Sequence, residues 1–240
     1  MSAWIERTEL LLGGEKINRL KKSHVLVVGL GGVGSYAAEQ LVRAGIGYLT
    51  IADGDEIQES NINRQLPATR HTIGLKKTEV LNQRYLEINP DLNLQVVNKF
   101  ITDDEMENFV LENHFDFVVD AIDTISPKLY LIKACVENQI PLVSSMGAGA
   151  RIDPTKVTIT DVSKSYNDRL AFRVRKKLRR WGIYKGFPVV FSSEDANKDA
   201  IKLIENEQNK KSTTGTISYM PAIFGLFCAS VVIRKITESV

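Results

Sequence analysis

Val25-Leu26-Val27-Val28-Gly29-Leu30-Gly31-Gly32-Val33-Gly34-Ser35 is the stretch that decides how this chain is read. Four uncharged apolar residues describe a strand buried on both faces, as in parallel sheets. Gly29, Gly31 and Gly34 follow at the G-x-G-x-x-G spacing and lead into a helical run, Tyr36-Ala37-Ala38-Glu39-Gln40-Leu41. Glycine suits the turn because it is tight and an anion must approach the backbone closely. The helix N-terminus beyond then offers that anion unpaired N–H groups. The same glycines also suit plain strand–helix packing, so alone the turn says "nucleotide" without saying which.

Downstream, Tyr48–Ala52 reads as a second strand and ends in Asp53-Gly54-Asp55. An acid about 20 residues past the glycines is where this architecture holds a ribose hydroxyl, and Asp53 fits. Up to here a dehydrogenase would look the same. The next residues differ: Ser60-Asn61-Ile62-Asn63-Arg64-Gln65, then Lys77 opening a helix over 78–88. A dinucleotide's pyrophosphate is largely satisfied by the glycine turn, whereas a triphosphate brings extra charge that Arg64 and Lys77 would meet. The plainer alternative makes both solvated surface charges.

A third strand is expected at 94–97 and a helix at 103–113, before Phe115-Asp116-Phe117-Val118-Val119-Asp120 runs into Ala121-Ile122-Asp123-Thr124. Carboxylates at the carboxyl end of a parallel strand face the ligand crevice, and magnesium on phosphates takes one or two of them. Asp123 is the metal candidate, and Asp120 is assigned to nearby backbone. The alternative for Asp123 is a turn or helix N-cap acid ahead of Ser126-Pro127. A helix at 128–138 and strands at 141–145 and 157–161 complete the pattern.

The 240 residues suit one α/β domain, with a nucleotide-binding core at about 20–165, a basic segment at about 166–211 and a buried C-terminal helix at about 217–236. Cys135 and Cys228 are far apart and form no C-x-x-C pair, which argues against a zinc ribbon or disulfide scaffold and fits a reducing, cytoplasmic setting. Residues 1–22 are charged throughout, so no secretory signal is expected. The apolar stretch 217–233 contains Pro221 and Gly225 and falls short of the roughly 20 residues of a membrane span, so a buried helix is expected. The net charge of +2 conceals a basic run. Arg173, Arg175, Lys176, Lys177, Arg179 and Arg180 occur without an acid, interleaved with Phe172, Trp181 and Tyr184. Such a run suits phosphate contacts and base stacking on structured RNA, a solvated helix face being the plainer reading. Residues 195–211, polar and lysine-rich, read as a mobile connection that orders on substrate.

In order and spacing, Gly29-Leu30-Gly31-Gly32-Val33-Gly34-Ser35, Asp53-x-Asp55, Ser60-Asn61-x-Asn63-Arg64-Gln65, Gly74-x-x-Lys77 and Asp120-x-x-Asp123 resemble the ThiF/MoeB/HesA adenylyltransferases, relatives of the ubiquitin-activating enzymes. The match spans roughly residues 5–160. Asn89-Pro90, Pro127-Lys128, Gly147-Ala148-Gly149 before Asp153-Pro154-Thr155, and Val190-Phe191-Ser192-Ser193-Glu194 are most similar to the branch that dehydrates N6-threonylcarbamoyladenosine in tRNA.

The resemblance implies a Rossmann-like, mostly parallel α/β sheet with flanking helices, ATP and Mg2+ as cofactors, and activation of a carboxylate as an acyl-adenylate. By position, Gly32 and Asp53 would hold the adenosine. Ser60, Asn61, Asn63, Arg64 and Lys77 would hold the phosphates, with Asp55 and Gln65 in the same nucleotide site. Asp123 would hold magnesium, and Thr124 stands where many relatives have asparagine. Arg7 lies near an arginine that relatives insert across a homodimer. Attack on the α-phosphorus would be assisted by the metal with Arg64, Lys77 and Arg7. A nitrogen of the modification would then close a five-membered ring and release AMP. The implied partners are tRNA bearing threonylcarbamoyladenosine, a second copy of the chain and a sulfur-transfer-system protein; neither DNA nor a membrane is expected, and a monovalent cation stays open. Relatives that form a thioester carry a reactive cysteine after the magnesium region, whereas both cysteines here lie in apolar helical patterns. Three rivals remain: a sulfur-carrier-protein adenylyltransferase, an NAD-dependent oxidoreductase, and a nucleotide-regulated RNA-binding module without chemistry.

Overall fold

The computed structural model describes residues 3–203 and 212–238. In chain order its elements are α1 (Glu6–Leu12), α2 (Gly14–Lys22), β1 (His24–Val28), α3 (Gly34–Arg43), β2 (Tyr48–Ala52), α4 (Lys77–Ile88), β3 (Asn93–Val97), α5 (Asp103–Glu112) and β4 (Phe117–Asp120). There follow α6 (Ile125–Glu137), β5 (Leu142–Ser145), β6 (Val157–Asp161), α7 (Arg169–Leu178), β7 (Pro188–Ser192), β8 (Ile201–Leu203), β9 (Ser212–Thr214) and α8 (Tyr219–Thr237). Seven strands form one sheet in the order β3-β2-β1-β4-β5-β7-β6, parallel except where β6 runs antiparallel to β7. The strand order reverses at β1, whose Val28 pairs with Ala52 on one side and Asp120 on the other. That reversal opens a crevice beyond the carboxyl ends of β1 and β4, where open α/β sheets take ligands.

Both faces of the sheet are covered, which is why its central strands are apolar without alternation. Ile17, Leu20, Ala37, Leu41, Phe224 and Val232 pack on one face; Met106, Val110, Leu131, Ile132, Val174 and Leu178 pack on the other. Helix α8 has the length and composition of a membrane span, yet Met220, Phe224, Cys228 and Val232 are fully buried against α3 and the sheet. It is a core helix, as its proline and glycine suggested. Gly225 is why it lies so close to α3: a Cβ there would sit 2.4 Å from the Val33 carbonyl oxygen.

Two stretches differ from the sequence reading. Strand β7 inserts between β5 and β6 and was not anticipated from periodicity. It is a short apolar run that opens on Pro188, a position where proline costs no ladder bond. Residues 195–211 are not a uniform connection: Ile201–Leu203 pairs antiparallel with Ser212–Thr214. The alternation Ile-Lys-Leu is the strand signal within the polar stretch. The rest of that expectation, 204–211, lies outside the described residues.

Candidate nucleotide and substrate site

The glycine turn is shaped by three different demands. A Cβ on Gly29 (φ +87°) would lie 2.7 Å from the Ala121 carbonyl oxygen, and one on Gly34 would lie 1.8 Å from the Gly29 oxygen. These two glycines let the turn press against the exit of β4. Gly32 is bare for another reason, since its Cβ would meet Pro221 of α8 at 2.8 Å and the Arg64 carbonyl oxygen at 3.1 Å. Gly31 faces open space, with only Gln65 Nε2 at 3.7 Å. Room for an anion at the backbone is therefore found at Gly31. Beside it Gln65 Oε1 is buried without a hydrogen-bond partner, an acceptor that a bound ligand's donor would satisfy.

Asp53 closes β2 and accepts from two backbone N–H groups, Leu30 at 2.6 Å and Asp55 at 2.7 Å. Burial pushes its carboxyl above the ordinary range, with the Lys77 ammonium opposing. Lys77 is itself buried in the first turn of α4, its Nζ 2.6 Å from Asp55 Oδ2 and 3.8 Å from Asp53 Oδ2. A buried ammonium needs such partners. The loop before α4 is braced internally. Arg64 Nη1 donates to the Ser60 carbonyl and to Asn63 Oδ1, both at 2.8 Å. Asn63 Nδ2 reaches the Thr216 carbonyl at 2.9 Å, and Asn61 Oδ1 accepts from Gln58 N–H. Desolvation lowers the Arg64 pKa and the charge of Asp123 opposes it, so these two groups face one another electrostatically.

At the exit of β4, Asp120 is fully buried and accepts from Lys128 Nζ at 2.7 Å, Ser144 Oγ at 2.5 Å and Ile122 N–H at 3.1 Å. Lys128 Nζ also donates to the Ile122 carbonyl. Asp120 thus holds backbone, as the sequence reading assigned. Lys128, fully buried on α6 among Leu129, Leu131 and Ile132, is the residue that reading missed. A lysine on a helix's apolar face demands a buried carboxylate, and that was the available signal. Asp123 is exposed at the crevice. The residue at the α6 N-cap is Thr124, whose side chain makes no capping bond, so Asp123 is not the N-cap acid of the alternative reading.

Among the described residues no three His, Cys, Asp or Glu side chains gather into a metal cage. A divalent ion here would take the Asp123 carboxylate together with phosphate oxygens and water, the usual mode for Mg2+. Arg7 is exposed on α1, and among the described residues it makes no hydrogen bond or ion pair to the crevice. On α7, Arg173, Lys176 and Lys177 are exposed while Ala171, Val174 and Leu178 are buried; Arg179 and Arg180 follow, also exposed. Arg175 is half-buried and bonded to Ser165. Both cysteines are free and buried, and burial pushes their thiols up, Cys228 to about 12. Neither is a thiolate at neutral pH.

Fold and crevice define a nucleotide-binding α/β protein, and the chain belongs to the ThiF family, whose model matches residues 6–239. It is 38% identical to the tRNA threonylcarbamoyladenosine dehydratase of Bacillus subtilis (strain 168), over 98% of this chain and 94% of that protein. It superposes on the Escherichia coli tRNA N6-threonylcarbamoyladenosine dehydratase, solved in complex with ATP, with a TM-score of 0.88 at 36% identity, covering 97% of this chain and 93% of that one. Likeness to the Escherichia coli (strain K12) sulfur carrier protein ThiS adenylyltransferase is 33% and extends over 59% of this chain and 55% of that protein.

Proposed function

We propose that this chain is an ATP-dependent tRNA threonylcarbamoyladenosine dehydratase working through an acyl-adenylate. The observation that carries the reading is the meeting, at one switch point, of Gly31's open face, the Asp53–Lys77–Asp55 cluster and the facing pair Arg64 and Asp123. The full-length likeness to dehydratases, against a partial likeness to a sulfur-carrier adenylyltransferase, supports it.

The glycine turn and the α3 N-terminus hold phosphate, and Asp53 takes the ribose. The threonyl carboxylate attacks the α-phosphorus of ATP and pyrophosphate leaves. Lys77 and Arg64 stabilise the charge spreading over the phosphate oxygens. Bound Mg2+ would supply further charge neutralisation at the phosphates. A nitrogen of the threonylcarbamoyl group then attacks the activated carbonyl carbon, closing a five-membered ring and expelling AMP. Net, the nucleoside loses one water. Nucleophile and electrophile share one small group, which supplies most of the positioning for ring closure.

The exposed cations of α7 and its continuation bind the tRNA backbone. Leu10 and Leu11 on α1, 81% and 82% exposed, suit burial against a second copy, which would carry Arg7 toward the partner's crevice. The test is AMP and pyrophosphate release from ATP and Mg2+ with and without tRNA bearing threonylcarbamoyladenosine, with mass spectrometry of the recovered nucleoside. Release that needs this tRNA, with a nucleoside lighter by one water, is the expected result. Pyrophosphate exchange driven instead by a Gly-Gly-tailed protein would overturn it.

A further inference from the structure

A cavity of about 890 Å³ opens at the start of α7, lined by Tyr166 and Phe172 and by the cations Arg169, Arg173, Arg175 and Lys198. It is separate from the crevice but joined to it by a chain of contacts. Arg151 is buried and donates to the carbonyls of Gly147 at 2.6 Å and Asn167 at 2.8 Å, with Asp168 at 3.5 Å. Asp168 in turn accepts from Gly147 N–H at 3.0 Å. Gly147 lies three residues past Ser144, the register partner of Asp120, and Asp123 lies three residues past Asp120. Neighbouring strands run about 4.8 Å apart, so the loop carrying Gly147 and the loop carrying Asp123 start from adjacent strands at the carboxyl edge of the sheet. On the other side, Thr216 bonds Asn63 and lies against Gly149.

The lining has a definite chemistry. Asp168 is matched by Arg151, so among the described lining residues Asp195 is the one other acid, against four cations. Tyr166 and Phe172 are 54% and 58% exposed, and the Tyr166 ring is held edge-on against the buried Phe191 at 5.4 Å, which leaves its other side to the cavity. Exposed aromatics beside arginines are how proteins hold unstacked bases with their phosphates. An apolar ligand would leave the cations unused, and a bare anion would leave the rings unused.

We propose that this cavity binds an unstacked nucleotide of the tRNA loop that carries the modified adenosine, its base on Tyr166 and Phe172 and its phosphate on Arg169 and Arg173. The proposal rests on the RNA-modifying reading above. The base is either the modified adenosine or a loop neighbour, and one experiment separates these. A stem-loop RNA spanning the modified adenosine, carrying 2-aminopurine at each loop position in turn, is titrated into the full chain, alongside tRNA binding and thermal shift with ATP. One labelled position should change fluorescence on binding, and its identity names the base. Phe172→Ala and Tyr166→Ala should each abolish that change and weaken tRNA binding about 5- to 150-fold, the span expected for one stacked base. The salt dependence and the ATP-induced thermal shift should stay unchanged, and Phe172→Tyr should retain wild-type behaviour. Wild-type affinity and fluorescence in Phe172→Ala would overturn the cavity proposal alone. A wild-type chain that is stabilised by ATP but binds no tRNA would overturn both it and the dehydratase reading.

Discussion

Lys77 shows how much a single buried charge reveals. With Nζ 2.6 Å from Asp55 and nearly no solvent access, it is a buried ammonium held at the crevice by a carboxylate, the charge proposed above to meet the phosphates. Lys77→Ala should lower turnover about 100-fold or more, the effect of removing one preorganised charge, as measured by AMP release at saturating ATP. Asp123→Ala should abolish release while the chain still folds, because the side chain is exposed. Replacing both cysteines by alanine should leave turnover intact, since neither thiol ionises near neutrality. Loss of chemistry in a folded double variant would reinstate a thioester step. Asp53, Lys77 and Asp123 stood out in the sequence as candidates because each lies beside a strand end or a helix start that periodicity locates, and Arg64 because it sits in a cluster of amides and a hydroxyl. Lys128 was not, because its meaning depends on Asp120 across the fold. Asn61, read as a phosphate contact, also accepts from Gln58 N–H through its side-chain oxygen, a bond that holds its own loop. Local hydrogen bonds of that kind leave no mark on spacing.

Elements built on close approach behave differently from elements built on burial alone. The contact between α8 and α3 requires a bare Gly225, because the atom in the way is the Val33 backbone oxygen, which no rotamer change can move. Gly225→Ala should cost about 3 kcal/mol, near the top of the range for overpacking, and should weaken ATP binding along with thermal stability. The parallel strands and helices β1 through β5 followed from apolar runs punctuated by glycine. β7 did not, since a five-residue run after a basic helix carries little periodic signal of its own, and β8 is only three residues long. Short strands are specified by their partners, and partners are not adjacent in sequence.

Across the molecule, charge ties elements together and faces the substrate. Glu39 on α3 joins α4 through Arg84 at 2.6 Å and its own helix through Arg43 at 2.9 Å. Burial alone would raise its pKa, but the bonds from Arg84 and Arg43 outweigh that and hold it below the ordinary carboxylate range. The stabilisation it provides is complete above the unfolded pKa and is lost as pH falls through the folded one. Glu39→Gln should therefore lower stability by about 1 kcal/mol at pH 7, both arginines being partly screened by solvent, and the difference from wild type should be smaller near pH 3. Thermal melts at the two pH values check this. The cations of α7 should make tRNA affinity fall steeply with salt, and Lys176→Ala should reduce the slope of log K against log salt by about one.

Pro221 and Gly225 have a temporal consequence. Every motif of the nucleotide crevice has been synthesised by residue 123, yet the back of the glycine turn is formed by a helix that begins at Tyr219. A nascent chain carries the full set of phosphate-binding residues for nearly a hundred further residues without the wall that holds them in place. Affinity for ATP should therefore arise late, as the last helix docks, so that nucleotide capture reports a finished fold and partly made chains draw nothing from the cell's ATP.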